Sequence, residues 1–526
     1  MRRDPIVNTL LWIFAPLAAL GLAAAVPSTG CVNTATDCAA LGLPAGCTPG
    51  GGGAGPASAS AATGTGGAGV ATASSAVAGT ASSASTAVSG SSASGTGTGG
   101  GAGSGAVCKA RRAGDASDQT ARRLDADAAG HLLVGGDFQG TLDFGVSALT
   151  ASTTQGFVAL LDAATLKPSW SRSLGATYLA SALDASGDVI VAGSYTSAVP
   201  VDLGCGVLDA NKSFFLAKID PTKSLPSAAC VFSKAFAAPI VRATLAVAGN
   251  GDIVLAGGSQ GPANGPVELG TGPLPAHGGL DVVIARFTST GSTQWSHAFG
   301  TPGDEAAVGV ALDPASGDAF ITGDFVGQLD FATGGNGIDS GAGKRDIFFA
   351  GFDPAGVPLW ADHFKGPNDD RATGIAVVSD GIVLGGDYVG SIDLGTSHET
   401  SAMPSAFVVG KLKLDGSPLW AATLDGQGNG TFLSLAAAAG DGIVLTGSVT
   451  VSATTSDLLV ASLDKKGKPL YQTTFPGTGL SRGLAVVAHG GVVDVAGGFD
   501  GTLDLGAAGK LQSQGGQDVF IAHLCP

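Results

Sequence analysis

GGDFQGTLDFG, at residues 135–145, is a sequence motif that this chain repeats and that we call the phrase. It returns as TGDFVGQLDF at 322–331, as GGDYVGSIDLG at 385–395 and as GGFDGTLDLG at 497–506. Glycines in such a phrase allow a positive φ or a close backbone approach, and Asp side chains accept hydrogen bonds from nearby N–H groups. The phrase is therefore predicted to be a structural bend that each repeat makes.

The glycine after the second predicted strand marks seven units, at spacings of 50 to 66 residues. One unit reads ATGIAVVSDG (372–381), IVLGGDYVGSIDLG (382–395), AFVVGKLKLDG (406–416) and PLWAATLDG (418–426). Each piece is a short apolar run bounded by turn-forming residues, which is typical of a strand. Four strands per unit at this period predict an all-β, seven-bladed β-propeller. The marker glycines are Gly136, Gly193, Gly257, Gly323, Gly386, Gly447 and Gly497.

Acidic residues recur at one position of the phrase. A catalytic carboxylate would be expected in only one unit of the chain. We interpret them as structural acceptors for turn N–H groups. They are Asp143, Asp202, Asp330, Asp393 and Asp504, with Glu268 in another blade's version.

The seventh unit ends at 518–526 without a fourth strand. The segment VCKARRAG (107–114) precedes the first unit as a fourth strand precedes each other unit, so it is predicted to complete the last blade and close the ring. Lys109 stands there in place of an aromatic residue. This pairing would bring Cys108 near Cys525, where a disulfide would lock the ring.

An aromatic residue opens each of the other six fourth strands. Such a row could be a sugar-stacking surface, but packing between adjacent blades is the commoner use and is our interpretation. The six residues are Trp170, Phe232, Trp295, Trp360, Trp420 and Tyr471.

The N-terminus is predicted to direct export. Arg2 and Arg3 precede an apolar run from Ile6 to Val26, which is the pattern of a signal peptide. Residues 1–30 are similar to a bacterial lipoprotein signal that is cleaved before a lipidated Cys31, although Ser28 stands where that signal usually has leucine. Two alternatives remain open: ordinary signal cleavage, which leaves a secreted or periplasmic protein, and a retained membrane anchor.

A short cysteine-containing segment (31–47) and a linker (48–106) separate this signal from the propeller (107–526). The linker is almost entirely Gly, Ala, Ser and Thr, so it has too little large apolar surface to offset the entropy of ordering. It is predicted to be disordered. The 60 residues between Cys47 and Cys108 should span roughly 40–45 Å.

The cysteines fit an oxidising compartment outside the cytoplasm. If Cys31 carries lipid, six remain, and we favour pairing Cys38 with Cys47, Cys205 with Cys230 and Cys108 with Cys525. No Cys or His spacing indicates a zinc site.

The net charge of −16, from 42 acidic and 26 basic side chains, repels phosphate backbones and anionic lipid. Nucleic acid is therefore not expected as a partner. Membrane contact is expected only through a lipid anchor.

The units resemble the bacterial SBBP-type β-propeller repeats. The matching pieces are DASGDVIVAGSY (184–195), RDIFFAGFDPAG (345–356) and PLWADHFKG (358–366), whereas the sixth unit departs from the pattern at 446–460. The resemblance covers about residues 107–526 and implies an extracytoplasmic propeller, mostly without a defined biochemical activity. The Gly/Ala/Ser linker is similar to those of myxobacterial lipoproteins.

The best local candidates for a ligand site lie between blades. GDASDQ (114–119), GTPGDE (300–305) and GPNDDR (366–371) each place an Asp four residues after a glycine. These residues, Asp118, Asp304 and Asp370, could converge on a cation such as calcium. The alternative is that each binds its own loop backbone. No other cofactor is expected.

The seven histidines share no repeat position, and no catalytic motif stands in a supporting context. An enzyme is therefore disfavoured. The sequence favours a monomeric propeller, displayed by a lipoprotein at the outer membrane or cell surface as a binding or adhesion scaffold. Its ligand, a protein or polysaccharide, would meet the loops at 270–281 and 332–346. The alternatives are a polysaccharide hydrolase or lyase and a passive structural protein.

Overall fold

A computed structural model describes residues 105–525 except 224–228, 262–264, 335–336, 342–343, 396, 402–405 and 425–429. The predicted signal peptide, Cys31, Cys38, Cys47 and nearly all of the linker lie outside the described residues. Within the described part, no helix is both long and apolar enough to cross a membrane.

Seven four-stranded antiparallel sheets form the blades, and two-stranded hairpins accompany several of them. Strand β1 (Val107–Ala113) precedes the first blade. Blades 1 to 3 and one hairpin contain β2 (Gln119–Ala126), β3 (His131–Asp143), β4 (Ala148–Asp162), β5 (Pro168–Ser173), β6 (Thr177–Leu183), β7 (Val189–Ser194), β8 (Phe214–Ile219), β9 (Cys230–Phe236), β10 (Ile240–Val247), β11 (Ile253–Gln260), β12 (Val267–Glu268), β13 (Pro273–Leu274), β14 (Leu280–Phe287) and β15 (Thr293–Phe299).

Blades 4 to 7 follow the same plan, with two short 3₁₀ helices at Ala439–Asp441 and Gly506–Ala508. Their strands are β16 (Ala306–Leu312), β17 (Ala319–Val326), β18 (Gln328–Leu329), β19 (Ile338–Asp339), β20 (Arg345–Phe352), β21 (Pro358–Phe364), β22 (Arg371–Val378), β23 (Gly381–Tyr388), β24 (Ser391–Asp393), β25 (His398–Thr400), β26 (Ala406–Leu412), β27 (Pro418–Leu424), β28 (Gly430–Ala438), β29 (Gly442–Thr450), β30 (Ser456–Leu463), β31 (Pro469–Phe475), β32 (Ser481–His489), β33 (Val492–Phe499), β34 (Thr502–Asp504), β35 (Lys510–Gln512) and β36 (Asp518–Leu524).

The ring closes through the N-terminal strand, which confirms the prediction. Strand β1 pairs antiparallel with β36 as the outer strand of blade 7, and the inner strands of neighbouring blades contact one another around the whole ring. Cys108 forms a disulfide with Cys525, with the two Cα atoms 5.3 Å apart. The disulfide therefore joins the third and fourth strands of this blade where the other blades have a turn.

The marker glycines are required because two backbones approach closely. A Cβ atom on any of the seven would lie 1.8 to 2.4 Å from a carbonyl oxygen of the inner strand, such as that of Thr120 beside Gly136. No side chain fits there. Positive φ is instead found further along the phrase, for example 76° at Gly140 and 89° at Gly327.

After this bend the chain forms a small hairpin, which spans residues 140–151 in blade 1 and which we call the wedge. Its apolar side chains, such as Leu142 and Phe144, are completely buried. Each packs between its own blade and the preceding one, so Leu142 belongs to the same apolar cluster as Val519 of blade 7. The wedge fills the space that opens between blades with increasing radius. Blade 6 lacks it, because β29 leads through a short turn directly into β30.

The recurring acidic residues of the wedge make turns. In five blades the carboxylate accepts the backbone N–H two residues later, at 2.6 to 3.1 Å, as Asp143 does from Gly145. Glu268 instead lies in a backbone bridge with Ala237. These contacts agree with the structural interpretation of this position.

Candidate functional site

The propeller has two faces of different character. Because the blades are antiparallel, the turns between strands one and two and between three and four share one side, the turn face. The loops between strands two and three and between blades share the other side, the loop face. Asp118, Asp304 and Asp370 all lie in loops of the loop face.

These three residues do not occupy one structural position, which corrects the alignment made from sequence. In three blades an exposed Asp accepts a backbone N–H from the preceding blade at 3.0 to 3.1 Å, and the residue after it is buried. The pairs are Asp118 with Gln517, Asp304 with Leu280 and Asp369 with Arg345. The loop at 366–370 is one residue shorter, so Asp370 instead corresponds to the buried Gln119 and Glu305.

Asp370 is fully buried. One carboxyl oxygen accepts the backbone N–H of Val389 at 3.2 Å, and the other has no hydrogen-bond partner among the described residues. Burial, with smaller contributions from Asp346 and two other carboxylates, raises the pKa of Asp370 to about 8. Its carboxyl group is therefore mainly protonated at neutral pH.

The described residues contain no group of three or more His, Cys, Asp or Glu side chains arranged to hold a metal ion. Asp118, Asp304 and Asp370 are each engaged with backbone N–H groups instead. Calcium binding remains a prediction.

An open groove of about 540 Å³ lies on the loop face between blades 3 and 4. It is lined by His277, Gly300, Thr301, Pro302, Gly303, Val326, Gly327 and Gln328. The predicted ligand loop at 270–281 supplies His277. The lining combines the polar side chains of His277 and Gln328 with apolar surface at Pro302 and Val326. The backbone N–H groups of Thr301, Gly303 and Gly327 already donate within the protein.

Two buried carboxyl groups support the floor of this groove. Glu305 accepts the backbone N–H of Thr301 at 2.8 Å and its hydroxyl at 2.5 Å, while Asp281 accepts the backbone N–H of His277 at 3.0 Å. Burial raises the pKa of both carboxyl groups. Both residues are 0% exposed, so they hold the loops rather than meet a ligand in the groove.

Sequence reasoning missed these supporting carboxylates. Asp281, Asp346 and Asp518 lie at the starts of third strands, and all three are buried. The glycine that follows a fourth strand makes room for two of them, since a Cβ on Gly300 would lie 1.8 Å from a carboxyl oxygen of Asp281 and one on Gly114 would lie 2.2 Å from a carboxyl oxygen of Asp518. The signal was an Asp directly before a buried apolar run.

The structure places the aromatic residues of the fourth strands beside the next blade. The indole N–H of Trp295 donates to the carbonyl oxygen of Pro354 at 2.9 Å, and that of Trp360 donates to Leu414 at 3.0 Å. Turn glycines with positive φ pack against four of the rings. These pairs are Phe232 with Gly291, Trp295 with Gly356, Trp360 with Gly416 and Trp420 with Gly467. Tyr471 meets Gly105, and Trp170 packs on the core between blades 1 and 2.

A second disulfide joins Cys205 to Cys230, with Cα atoms 5.5 Å apart. It connects the loop of the blade 2 wedge to the start of β9. Two disulfides in the described chain indicate an oxidising, extracytoplasmic environment.

No protein-family model and no curated protein matches the chain. Solved structures that match the chain include a quinohemoprotein alcohol dehydrogenase from Pseudomonas putida HK5, with 10% identity, TM-score 0.34 and coverage of 79% of this chain and 76% of that one. Hydrazine synthase from Kuenenia stuttgartiensis has 9% identity, TM-score 0.40 and coverage of 71% and 92%. The β-propeller domain of Myceliophteria thermophila Cps50 (Swd1) has 9% identity, TM-score 0.37 and coverage of 79% and 98%. Similarity at this level carries no argument about function.

Proposed function

We propose that the protein is an exported lipoprotein of the cell envelope, built from SBBP-type repeats, whose loop face binds a protein or a polysaccharide. The groove between blades 3 and 4 is the observation that carries the proposal. Its floor is held by buried carboxyl groups, and its lining offers the polar side chains of His277 and Gln328. A concave site with a few polar groups among apolar ones is a common form of a binding site.

The direction in which the chain joins the propeller supports the same function. Gly105 packs against Tyr471 on the turn face, as the turn glycines of blades 3 to 6 pack against the aromatic residue of the preceding blade. A tether attached on that side leaves the loop face unobstructed. A lipid on Cys31 would then hold the head at a membrane as a monomeric scaffold, while the groove stays open to partners.

The test is a glycan and secreted-protein array probed with the chain from Val32 to Pro526, with and without calcium, and scored for retention and cleavage. We expect retention by wild type and its loss in the double variant His277→Ala, Gln328→Ala. The matched control, Ser391→Ala with His398→Ala, changes the wedge of blade 5 and should retain binding. Equal loss in both variants would contradict the assignment of the groove.

Other outcomes separate the remaining functions. Cleavage of an arrayed glycan would favour a polysaccharide hydrolase or lyase over the scaffold. Complete silence on a broad array would favour a passive structural role. Retention that requires calcium would support the predicted cation site.

A further inference from the structure

The outer rim of the turn face carries a row of exposed leucines across blades 4 to 6. Leu359 is 46% exposed, Leu414 40%, Leu419 39% and Leu470 52%. They are all of the leucines among the exposed large apolar residues of the described chain. Three of them occupy the second position of an outer strand, β21, β27 or β31.

Contacts between blades make this row continuous. Trp360, next to Leu359, donates its indole N–H to the carbonyl oxygen of Leu414 in the next blade. Trp420, next to Leu419, lies against Gly467 in the following turn, where a Cβ atom would be 2.6 Å from the ring. These contacts join the three outer strands and turns that carry the leucines in blades 4 to 6.

Exposed lysines border the same row. They are Lys413 in the turn of blade 5 and Lys465, Lys466 and Lys468 in the turn of blade 6. Within the described chain, none of the four makes an ion pair.

The nearby acids already have backbone partners. Asp464 accepts the backbone N–H groups of Lys466 and Lys468 at 2.8 and 2.9 Å, and Asp415 accepts that of Ser417 at 2.9 Å. The same turn acids also interact electrostatically with Lys413, Lys466 and Lys468, and Asp441 does so with Lys465. Among the described residues none of these pairs is a close ion pair, so the ammonium groups can still reach a partner.

The chain joins the propeller at the end of this row. Gly105 packs against Tyr471, the neighbour of Leu470, with its Cβ position 2.8 Å from the ring. An attachment through the N-terminal side would therefore join the propeller at this rim rather than at the loop face.

We propose that this leucine and lysine rim docks on a lipid bilayer that contains anionic phosphate headgroups. Leucine side chains would enter the boundary between headgroups and acyl chains, and the lysines would pair with lipid phosphates. This proposal departs from the sequence-based expectation that the net charge of −16 repels anionic lipid, because charges further away than about 8 Å are largely screened at physiological salt. Docking would orient the loop face away from the membrane.

This inference takes its setting from the proposed envelope function but is measured without any loop-face ligand. The chain from Val32 to Pro526, which lacks the predicted lipid site, is mixed with phosphatidylglycerol vesicles or with phosphatidylcholine vesicles and floated on a gradient. We expect binding to the anionic vesicles that weakens with salt. Replacing the four rim lysines with Gln should reduce binding at least about tenfold. Leu419→Ser with Leu470→Ser should also reduce it.

The matched control changes equivalent positions in another sector. Val231 lies at the same strand position in blade 2 and is 50% exposed, and Lys167 lies in the corresponding turn of blade 1. Val231→Ser with Lys167→Gln should leave vesicle binding unchanged. Equal loss in control and rim variants, or equal binding to both vesicle types, would overturn the proposal. Binding to soluble alginate but not to vesicles would also overturn it and indicate an anionic polymer. A failed ligand array would leave the vesicle result unaffected.

Discussion

At the scale of single residues, the repeated phrase is explained by space rather than by chemistry. Gly136 and its six counterparts lie where an inner-strand carbonyl oxygen leaves no room for a side chain. A β-propeller needs this approach once per blade, which is why the glycine recurs when much of the surrounding sequence does not. The carboxylates of the same phrase fix turns through backbone N–H groups.

The first prediction concerns that close approach. Gly136→Ala should destabilise the protein by about 2–3 kcal/mol, because a Cβ 2.0 Å from the carbonyl oxygen of Thr120 forces the strands apart. Gly249→Ala is the control, since nothing lies within 4 Å of its Cβ position. Thermal unfolding monitored by circular dichroism measures both. Similar unfolding midpoints for the two variants would contradict the explanation.

The second prediction concerns pH. Because burial raises the pKa of Asp370 to about 8, the folded state retains a proton that the unfolded chain releases near pH 4. Folding is therefore penalised progressively between these two values, and stability falls as the pH rises. The stability of Asp370→Asn relative to wild type should therefore be greater at pH 8 than at pH 5.

The control for this variant is Asp304→Asn, which changes an exposed aspartate in the loop before blade 4. Its difference from wild type should vary little over the same pH range. Unfolding midpoints at pH 5, 6, 7 and 8 provide the measurement. A difference between Asp370→Asn and wild type that does not change with pH would refute the assigned pKa.

At the scale of elements, strand order and blade plan were predictable from sequence because apolar runs and turn residues report them locally. The phrase also predicted a bend at the correct place. The wedge was not predictable as a packed element, because its partners lie in the preceding blade. A single-residue difference in the loop before Asp370 also escaped sequence reasoning, since only the hydrogen bonds of Asp369 reveal the correct alignment.

The third prediction tests the wedge. Phe144 is fully buried between blades 7 and 1, so Phe144→Ala should cost about 3–5 kcal/mol through lost burial and the cavity left behind. Val146→Ala, two residues later at a position 48% exposed, should change stability little. Thermal unfolding of the two variants distinguishes them. A small effect of Phe144→Ala would show that the wedge is dispensable.

At the scale of the whole molecule, one strand from the N-terminal side and one disulfide convert a row of repeats into a ring. The sequence predicted this because the last unit lacks its fourth strand and one additional strand precedes the first unit. It could not predict the groove between blades 3 and 4, since that space depends on how two neighbouring loops rise above the sheet. The two faces follow from antiparallel topology, and the ring places Gly105 on the turn face and the groove on the loop face.

The fourth prediction concerns the strength of closure. Cys108 and Cys525 are separated by 417 residues, and Cys205 and Cys230 by 25. Loop-closure entropy grows with loop length, so Cys108→Ser with Cys525→Ser should destabilise the protein by about 2 kcal/mol more than Cys205→Ser with Cys230→Ser. Denaturant unfolding of the two double variants measures the difference. A larger loss from the shorter loop would contradict this account.

The most direct measurement of an exported, covalently closed propeller is a peptide map of the protein purified from its own cells. Free thiols are alkylated before digestion, and the peptides are analysed by mass spectrometry without reduction. The structure predicts one linked pair that contains Cys108 and Cys525, with neither residue alkylated. Recovery of both cysteines as free, alkylated thiols would contradict the closed ring and the oxidising compartment together.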